Sequence, residues 1–544
     1  SRHTNVSLVP SPPNQWCGMV ERRIDPDDAQ PYTWNEFRSY YADTYKEKWI
    51  EAYWMACRVV EPKSKAISDK VTLKKRASRH GAELRQKPKT RVAVLGGSFD
   101  PPQVNHLICA AEVINARAVD EVWIVPCGYR SDKPNLSPAH VRYTMCQLSV
   151  CTFYTSEMPI RVSDINVYSG DKSSTYDLLQ ALEAKHPNLV FSFIIGTDWL
   201  QPGTDIREWC STDPETGLET LRTGEALLNS YDFIVIPRPG YTVKDVSAFG
   251  PRMKMLTMPD GVNLMEGSLS STEVRKRTDA SNQARLGVGL IEGLVTPSCL
   301  SYIHKHSLYC MNVRPQEPRK VAVFGGVFDP PTNSHMISLA DIIQSGMADE
   351  VIIVPCGARA DKPEINPAIH RYLMCEVAVN SHFSLNAQIF ASDIEVLEKE
   401  ALSTYDLLTR LKAQRPECEF MFVIGTDWLQ PGADFRKWVS KDPTGETISG
   451  EKLLQEFDII VFKRPGFDVV DITEFGPRMR WMVMPYGMKK IDLNLTSTEV
   501  RNRARLSYSR KDHIETMQPT LQSLDGLVPP GVLTYIKREN LYKM

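Results

Sequence analysis

The stretch Arg91-Val-Ala-Val-Leu-Gly-Gly-Ser-Phe-Asp-Pro-Pro-Gln-Val-Asn-His106 occurs twice, the second time as Lys320-Val-Ala-Val-Phe-Gly-Gly-Val-Phe-Asp-Pro-Pro-Thr-Asn-Ser-His335. The repetition runs far beyond these residues. Gly96 and Gly325 stand 229 residues apart, as do Asp198 and Asp427, while Arg238 and Arg464, like Arg275 and Arg501, stand 226 apart. A net deletion of three residues keeps the copies in register. A period of about 225 residues is that of two fused domains, since solenoid repeats run only about 20–50 residues.

Within each copy, short apolar runs alternate with helical stretches. Strand candidates are 92–95, 121–126, 189–195 and 232–236 in the first copy, and 321–324, 350–355, 419–424 and 458–462 in the second. Near-continuous Val, Ile and Phe runs separated by helices predict a parallel sheet covered on both faces. The expected fold is therefore α/β: two tandem Rossmann-like domains, 91–311 and 320–544, behind a helical N-terminal extension, 1–90. Ligands in such sheets bind at the carboxyl ends of the strands, where Gly96-Gly97, Lys133, Asp198 and Arg238 fall.

The extension reads differently. Thr33-Trp-Asn-Glu36 is a capping-box pattern, followed by Phe37, Tyr41, Tyr45, Trp49 and Tyr53 at every fourth position. This predicts one helix with an aromatic stripe and no second element to bury it. Docking on the chain's own domains and contact with another protein both fit. Residues 62–91 carry eleven Lys or Arg against Asp69 and Glu83, the pattern of a cationic linker or of a contact with an acidic partner.

Composition sets bounds rather than a function. A chain of 544 residues has room for roughly three or four domains. With 42% hydrophobic and 24% charged residues it reads as an ordinary soluble protein. A formal net charge of −2 gives no global pull toward nucleic acid or membrane. No apolar run reaches the roughly 20 residues of a membrane helix. Twelve cysteines without framework spacing point to a reducing compartment, cytoplasm or mitochondrial matrix. A start at Ser1 suggests a processed or truncated N-terminus.

The chemistry lies in two short patterns per copy. A strand that feeds a glycine turn at a helix start exposes backbone N–H groups to the positive end of the helix dipole, which is a phosphate cradle. Pro101-Pro102 can open that helix, and His106 or His335 follows about two turns on. The turn contains neither G-x-G-x-x-G nor G-x-x-x-x-G-K-[ST], so dehydrogenase and P-loop readings lose support. The second pattern is Leu269-Ser-Ser-Thr-Glu-Val-Arg275, repeated as Leu495-Thr-Ser-Thr-Glu-Val-Arg501. Hydroxyls at a helix start with an arginine one turn in suit the outer phosphates of a triphosphate. Taken alone this is an ordinary N-cap; two such cradles per domain, nearly equally spaced twice, argue otherwise.

Together these residues resemble the nicotinamide/nicotinate mononucleotide adenylyltransferases. The likeness covers both copies nearly end to end, including the closing Gly293-Leu-Val-Thr-Pro and Gly526-Leu-Val-Pro-Pro segments, but not 1–90. It implies ATP and a pyridine mononucleotide as substrates, Mg²⁺ bound through the ATP phosphates, no protein-held metal and no nucleic acid partner. By position it implies that His106 and His335 contact the reacting phosphate. ATP is implied to lie against Gly96, Gly97, Ser98, Phe99, Gly196, Asp198, Ser271, Thr272 and Arg275 in the first copy. In the second the implied set is Gly325, Gly326, Phe328, Thr332, Gly425, Asp427, Ser497, Thr498 and Arg501. For the mononucleotide the resemblance implies Lys133, Thr175, Trp209 and Arg238, with Lys362, Thr404, Trp438 and Arg464.

Several of these have plainer roles open to them. Trp209 and Trp438 fit core packing as well as stacking; Asp198 and Asp427 fit helix caps; Lys133 and Lys362 fit solvated loops. Cys127 and Cys356 read as packing, and Cys146 and Cys151 lack partners for a zinc site. Each copy also departs once from the family pattern at a polar position: Gln103 stands where His or Thr is usual, and Val327 where Ser or Thr is usual. Two sites of unequal activity follow. A different nucleotide acceptor, phosphopantetheine or flavin mononucleotide, keeps the same chemistry; a weakly active subunit of a larger assembly, anchored through the aromatic helix, is the reading outside enzymology.

Overall fold

The computed structural model describes residues 22–24, 31–41, 58–59, 89–130, 133–167, 174–212, 219–265, 267–284, 289–310, 319–398, 400–433, 435–442, 445–469, 471–491, 495–509 and 524–542. The chain divides into two compact units, Ser1–Gln86 and Lys87–Met544. In the first, Arg22–Ile24 pairs antiparallel with Pro31–Thr33 and with Arg58–Val59. One helix, Trp34–Tyr41, follows Thr33. The expected stripe beyond Tyr41, at Tyr45, Trp49 and Tyr53, and the cationic stretch at 62–88 lie outside the described residues. The small sheet was not foreseen, because strands of two or three residues leave no periodicity to read.

The second unit holds two sheets of the same design. In the first half the elements are β1 (Thr90–Gly97), α1 (Val104–Asn115), β2 (Glu121–Pro126), α2 (Ala139–Phe153), β3 (Ile160–Val162), α3 (Thr175–Lys185), β4 (Leu189–Gly196), α4 (Gly224–Ser230), β5 (Asp232–Ile236), β6 (Met253–Met255), α5 (Ser271–Ala284) and α6 (Pro297–Lys305). The second half repeats them as β7 (Lys320–Gly326), α7 (Asn333–Gln344), β8 (Glu350–Pro355), α8 (Ala368–His382), β9 (Ile389–Ala391), α9 (Thr404–Gln414), β10 (Glu419–Gly425), α10 (Ser449–Glu456), β11 (Asp458–Phe462), β12 (Met479–Trp481), α11 (Ser497–Ser509) and α12 (Pro530–Arg538). Strand order is β3-β2-β1-β4-β5-β6 and β9-β8-β7-β10-β11-β12, with every pairing parallel. The order reverses beside β1 and β7, which opens a crevice at their carboxyl ends.

Alternation along β1 shows how each sheet is covered twice. Val92 and Val94 face a layer with Leu179 and Leu182 of α3 and Leu227 of α4, while Ala93 faces the opposite layer. Val321 and Val323 repeat this against α9 and α10, with Ala322 opposite. The two opposite layers are one: Met145, Leu148 and Cys151 of α2 pack in the same cluster as Met374 and Val377 of α8. The halves therefore share a core, each side chain buried there contributing about 1.5–3 kcal/mol. Among the described residues no helix is long and apolar enough to cross a membrane.

One local expectation fails. Pro101-Pro102 does not open the helix; α1 begins at Val104 with Gln103 as N-cap, and α7 at Asn333 with Thr332 as N-cap. The prolines instead carry the chain across the crevice, with Asp100–Pro101 and Asp329–Pro330 both cis.

Candidate active site

β1 and β7 end at glycine pairs whose hydrogens are a packing necessity. A Cβ on Gly97 would stand 3.2 Å from the Phe99 ring, and one on Gly326 2.9 Å from the Phe328 ring. Both phenylalanines are buried and take φ of 49°, a left-handed conformation uncommon for a residue with a Cβ. Each ring then meets the following histidine edge to face, at 4.9 Å for Phe99–His106 and 5.0 Å for Phe328–His335.

The histidines sit at the third position of their helices, inside the capping box. Backbone N–H of Gln103 donates to Nδ1 of His106 at 3.2 Å, and that of Thr332 to Nδ1 of His335 at 2.9 Å. With Nδ1 accepting, the ring proton resides on Nε2. Burial, with the guanidinium of Arg238 nearby, pushes His106 down to about 4; burial and Arg464 do the same to His335. Both rings are neutral donors at physiological pH.

The hydroxyl-rich helix starts close on the same loops. Ser271 Oγ donates to the carbonyl of Pro101 at 2.8 Å, and Arg275 to the carbonyl of Asp100. In the second half Ser497 Oγ donates to Pro330 O at 2.8 Å and Arg501 to Asp329 O at 2.7 Å. The second nitrogen of each arginine turns back to Thr272 Oγ1 at 3.4 Å and to Thr498 Oγ1 at 3.1 Å. Glycine turn and helix start thus form one cleft, twice.

β4 and β10 supply the wall. Gly196 lets Asp198 and Arg238 close in, since a Cβ there would lie 2.2 Å from Asp198 Oδ1. Arg238 pairs with Asp198 Oδ2 at 3.1 Å and Arg464 with Asp427 Oδ2 at 2.8 Å. The other oxygens, Oδ1 of Asp198 and of Asp427, are buried and have no hydrogen-bond partner, so each is an acceptor awaiting a donor. Asp198 and Asp427 lie in 3₁₀ turns, Thr197–Leu200 and Thr426–Leu429, and neither caps its turn.

The remaining expected residues lie outside this hydrogen-bonded set. Lys133 and Lys362 lie on exposed turns after β2 and β8. Thr175 and Thr404 are the first residues of α3 and α9, beside the caps Ser174 and Ser403. Trp209 and Trp438 are half-buried against the outer layer. Ser98 is half-buried with its Oγ 4.0 Å from Cys127 Sγ.

Three features escaped the sequence. Arg142 and Arg371 are almost wholly buried. Arg142 donates to the carbonyls of Ser137 (2.8 Å), Ser98 (2.7 Å), Cys127 (2.7 Å) and Gly128 (3.0 Å). Arg371 does likewise to Asn366 (2.8 Å), Val327 (2.9 Å) and Gly357 (2.9 Å), so each guanidinium clasps two loops of the cleft, the glycine turn and the one between the second strand and its helix. Tyr309 and Tyr542 donate to Oδ1 of Asp100 and Asp329 at 2.7 and 2.6 Å, fixing the loop from below. Finally Trp199 and Trp428, half-exposed, stand edge to face on Trp209 and Trp438 at 5.2 and 5.1 Å. The repeated Thr-Asp-Trp-Leu was a visible signal for the last; an arginine inside an apolar helix was a weaker one.

Among curated proteins the chain is similar to the probable nicotinate-nucleotide adenylyltransferase of Oceanobacillus iheyensis, 29% identical over 219 residues, which is 40% of this chain and 96% of that protein. It is 30% identical to the protein of the same description from Leifsonia xyli subsp. xyli, over 41% of this chain and 94% of that one. Among solved structures it resembles the Plasmodium falciparum nicotinic acid mononucleotide adenylyltransferase complexed with NaAD, at 27% identity and a TM-score of 0.33, covering 41% of this chain and 100% of that one. The sequence pattern of the cytidylyltransferase-like family matches at 94–277 and again at 323–503, and with two thirds of its length so matched the chain belongs to that family.

Proposed function

We propose that each half transfers the adenylyl group of ATP to nicotinate mononucleotide, giving deamido-NAD and pyrophosphate. An oxygen of the mononucleotide 5′-phosphate attacks the α-phosphorus of ATP, and the bond to the bridging oxygen of pyrophosphate breaks. No side chain becomes covalently attached. Two anions must meet, so the work of the chain is positioning and charge neutralisation.

The observation that carries this reading is the joining of glycine turn and helix start through Ser271, Arg275, Ser497 and Arg501, which gives each cleft two anion cradles on one ligand. In it the neutral Nε2–H of His106 or His335 donates to the α-phosphoryl oxygens, where charge grows in the transition state. Thr272, Arg275, Thr498 and Arg501 hold the outer phosphates against the glycine turns. The unpartnered oxygens of Asp198 and Asp427 take a ribose hydroxyl. Arg238, Arg464, Thr175 and Thr404 hold the mononucleotide, with Lys133 and Lys362 reaching its phosphate from their turns. The edge-to-face tryptophan pairs offer a wall for the pyridine ring.

Among the described residues no cluster of three His, Cys, Asp or Glu side chains could hold a metal ion. Mg²⁺ would be carried on the ATP phosphates that Thr272, Arg275, Thr498 and Arg501 hold, and would supply charge neutralisation there. The test is pyrophosphate release from ATP and nicotinate mononucleotide, with nicotinamide mononucleotide, flavin mononucleotide and phosphopantetheine as rival acceptors. His106→Ala and His335→Ala each remove one half's share, and together lower kcat by about 10²–10³-fold. A folded double variant that keeps full turnover would sink the assignment.

A further inference from the structure

The joint between the halves has the pattern of a two-fold contact. α2 packs on α8 at the centre, α6 crosses onto α8, and α12 crosses onto α2. Tyr302-Ile303 of α6 corresponds to Tyr535-Ile536 of α12, which equates Lys305 with Arg538 and His306 with Glu539; Gln147 of α2 corresponds to Glu376 of α8.

A joint of two identical halves would carry the same side chains on both sides of its axis. This one does not. On one side Glu376, with a side chain 1% exposed, accepts from Tyr372 Oη at 2.9 Å and from Asn380 Nδ2 at 2.7 Å, and meets His306 Nε2 across the joint at 3.7 Å. Lys305 is buried beside it, its Nζ has no hydrogen-bond partner, and Glu376 is the acid that favours its charged form; burial in turn pushes Glu376 up to about 8, so the two groups depend on each other. Ser301 Oγ adds a bond across to Asn380 Oδ1 at 2.9 Å. On the other side Glu539 hydrogen-bonds the uncharged Gln147. There the two terminal nitrogens of Arg538 donate to carbonyls of the first half, Ile160 at 2.6 Å and Thr155 at 2.9 Å, while its buried Nε has no partner. Lys537 Nζ reaches Ser156 Oγ at 2.9 Å and Glu157 at 3.1 Å.

Like pairings break these matches. Two second halves would set Glu539 against Glu376, two acids in one seam that already pushes both up. Two first halves would set Lys305 and His306 against Gln147, stranding a buried ammonium without its acid. Either costs far more than the exposed ion pairs elsewhere on this chain contribute, because a buried charge without its partner is not screened by water.

We propose that the joint is heterotypic by charge: the partner each half is built for is the unlike half, and a second copy of itself is rejected.

The test uses the intact chain and reads thermal unfolding. Gln147→Glu brings a second acid to Glu539 and should lower the midpoint by several degrees. Adding Glu539→His to it recreates the Glu376–His306 pair on the other side and should recover most of the loss. Independently, Glu376→Gln strands Lys305 and should lower the midpoint, whereas Glu376→Gln with Lys305→Met should recover. If Gln147→Glu fails to fold, the second pair of variants decides alone. Recovery supports the proposal, and midpoint shifts that merely add in the doubles overturn it.

Discussion

The two clefts keep one set of contacts and differ in how they support it. Ser271 and Ser497 donate to the same loop carbonyl at 2.8 Å, and the two histidines receive the same N-cap N–H. The N-caps doing this are chemically unlike. Gln103 accepts from Asn105 N at 2.6 Å while its amide donates to Leu269 O at 2.8 Å, tying α1 to the α5 segment. The Thr332 side chain bonds within its own turn, its Oγ1 lying 3.0 Å from His335 Nδ1. Further ties use different positions: Asn105 Nδ2 donates to Gly267 O at 3.0 Å in the first half, and Asn333 Nδ2 to Gly526 O at 2.8 Å in the second. Each histidine is therefore held by geometry that two different side chains can produce. Departure from a motif at such a position is weak evidence for a dead site.

That comparison can be broken most severely at the buried arginines. Arg142→Ala leaves four loop carbonyls without a donor and opens a cavity, and Arg371→Ala does the same for the loops of the other cleft. Each should destabilise the chain by about 3–5 kcal/mol, read as a shift of urea midpoint. Of the two, Arg142→Ala should abolish turnover only by the first half, measured in the His335→Ala background. Equal loss in both halves would mean that the clefts are not independently supported.

A smaller effect sharpens the difference at the position after the glycines. Ser98 offers a hydroxyl and Val327 none. Ser98→Val should lower the first half's kcat/KM by about fivefold to tenfold, the worth of one hydrogen bond of roughly 1 kcal/mol. Val327→Ser should raise the second half's by a similar factor. If neither moves, the serine is not a ligand of ATP and the halves' inequality lies elsewhere.

The smallest expected change is with acid. Both histidines are held near 4 by burial, so kcat at saturating substrate should vary less than about twofold between pH 5.5 and 7.5 on account of these groups. The acid limb should be the same for either half alone. A limb near 6 in one half only would mean that its histidine is not buried as its twin is. For stability the sign is fixed by the lowered folded-state value: an unfolded histidine takes up a proton near 6.5 that the folded one refuses until about 4. Stability from this source is complete above 6.5 and declines as pH falls toward 4.

Legibility followed the length and regularity of each signal. The central strands were readable because five to eight residues of Val, Ile and Phe have no competing explanation. The edge strands β3, β6, β9 and β12 were not, since three residues in the lee of a sheet are extended only because a neighbour pairs with them. Of the residues expected in the cleft, Gly97, His106, Ser271, Arg275, Asp198 and Arg238, with their twins, come together. Lys133 and Lys362 lie on exposed turns outside that hydrogen-bonded set. Trp199 and Trp428 went unread because a half-exposed aromatic is conspicuous only once its neighbour is known.

What the sequence alone determined is local and repeated: a strand ending in glycines, a histidine and a hydroxyl-rich helix start at fixed separations, and all of it twice. Those signals suffice for fold class and chemistry because each rests on contacts between residues near in the chain, or on a pattern too long to arise by accident. Tertiary structure alone decided what depends on residues distant in sequence meeting in three dimensions. Only there do Arg142 and Arg371 find their carbonyls and Tyr309 and Tyr542 their aspartates. Only there do the halves fuse into one core with unlike charges across it, because a buried group's role is set by which partner displaces its water.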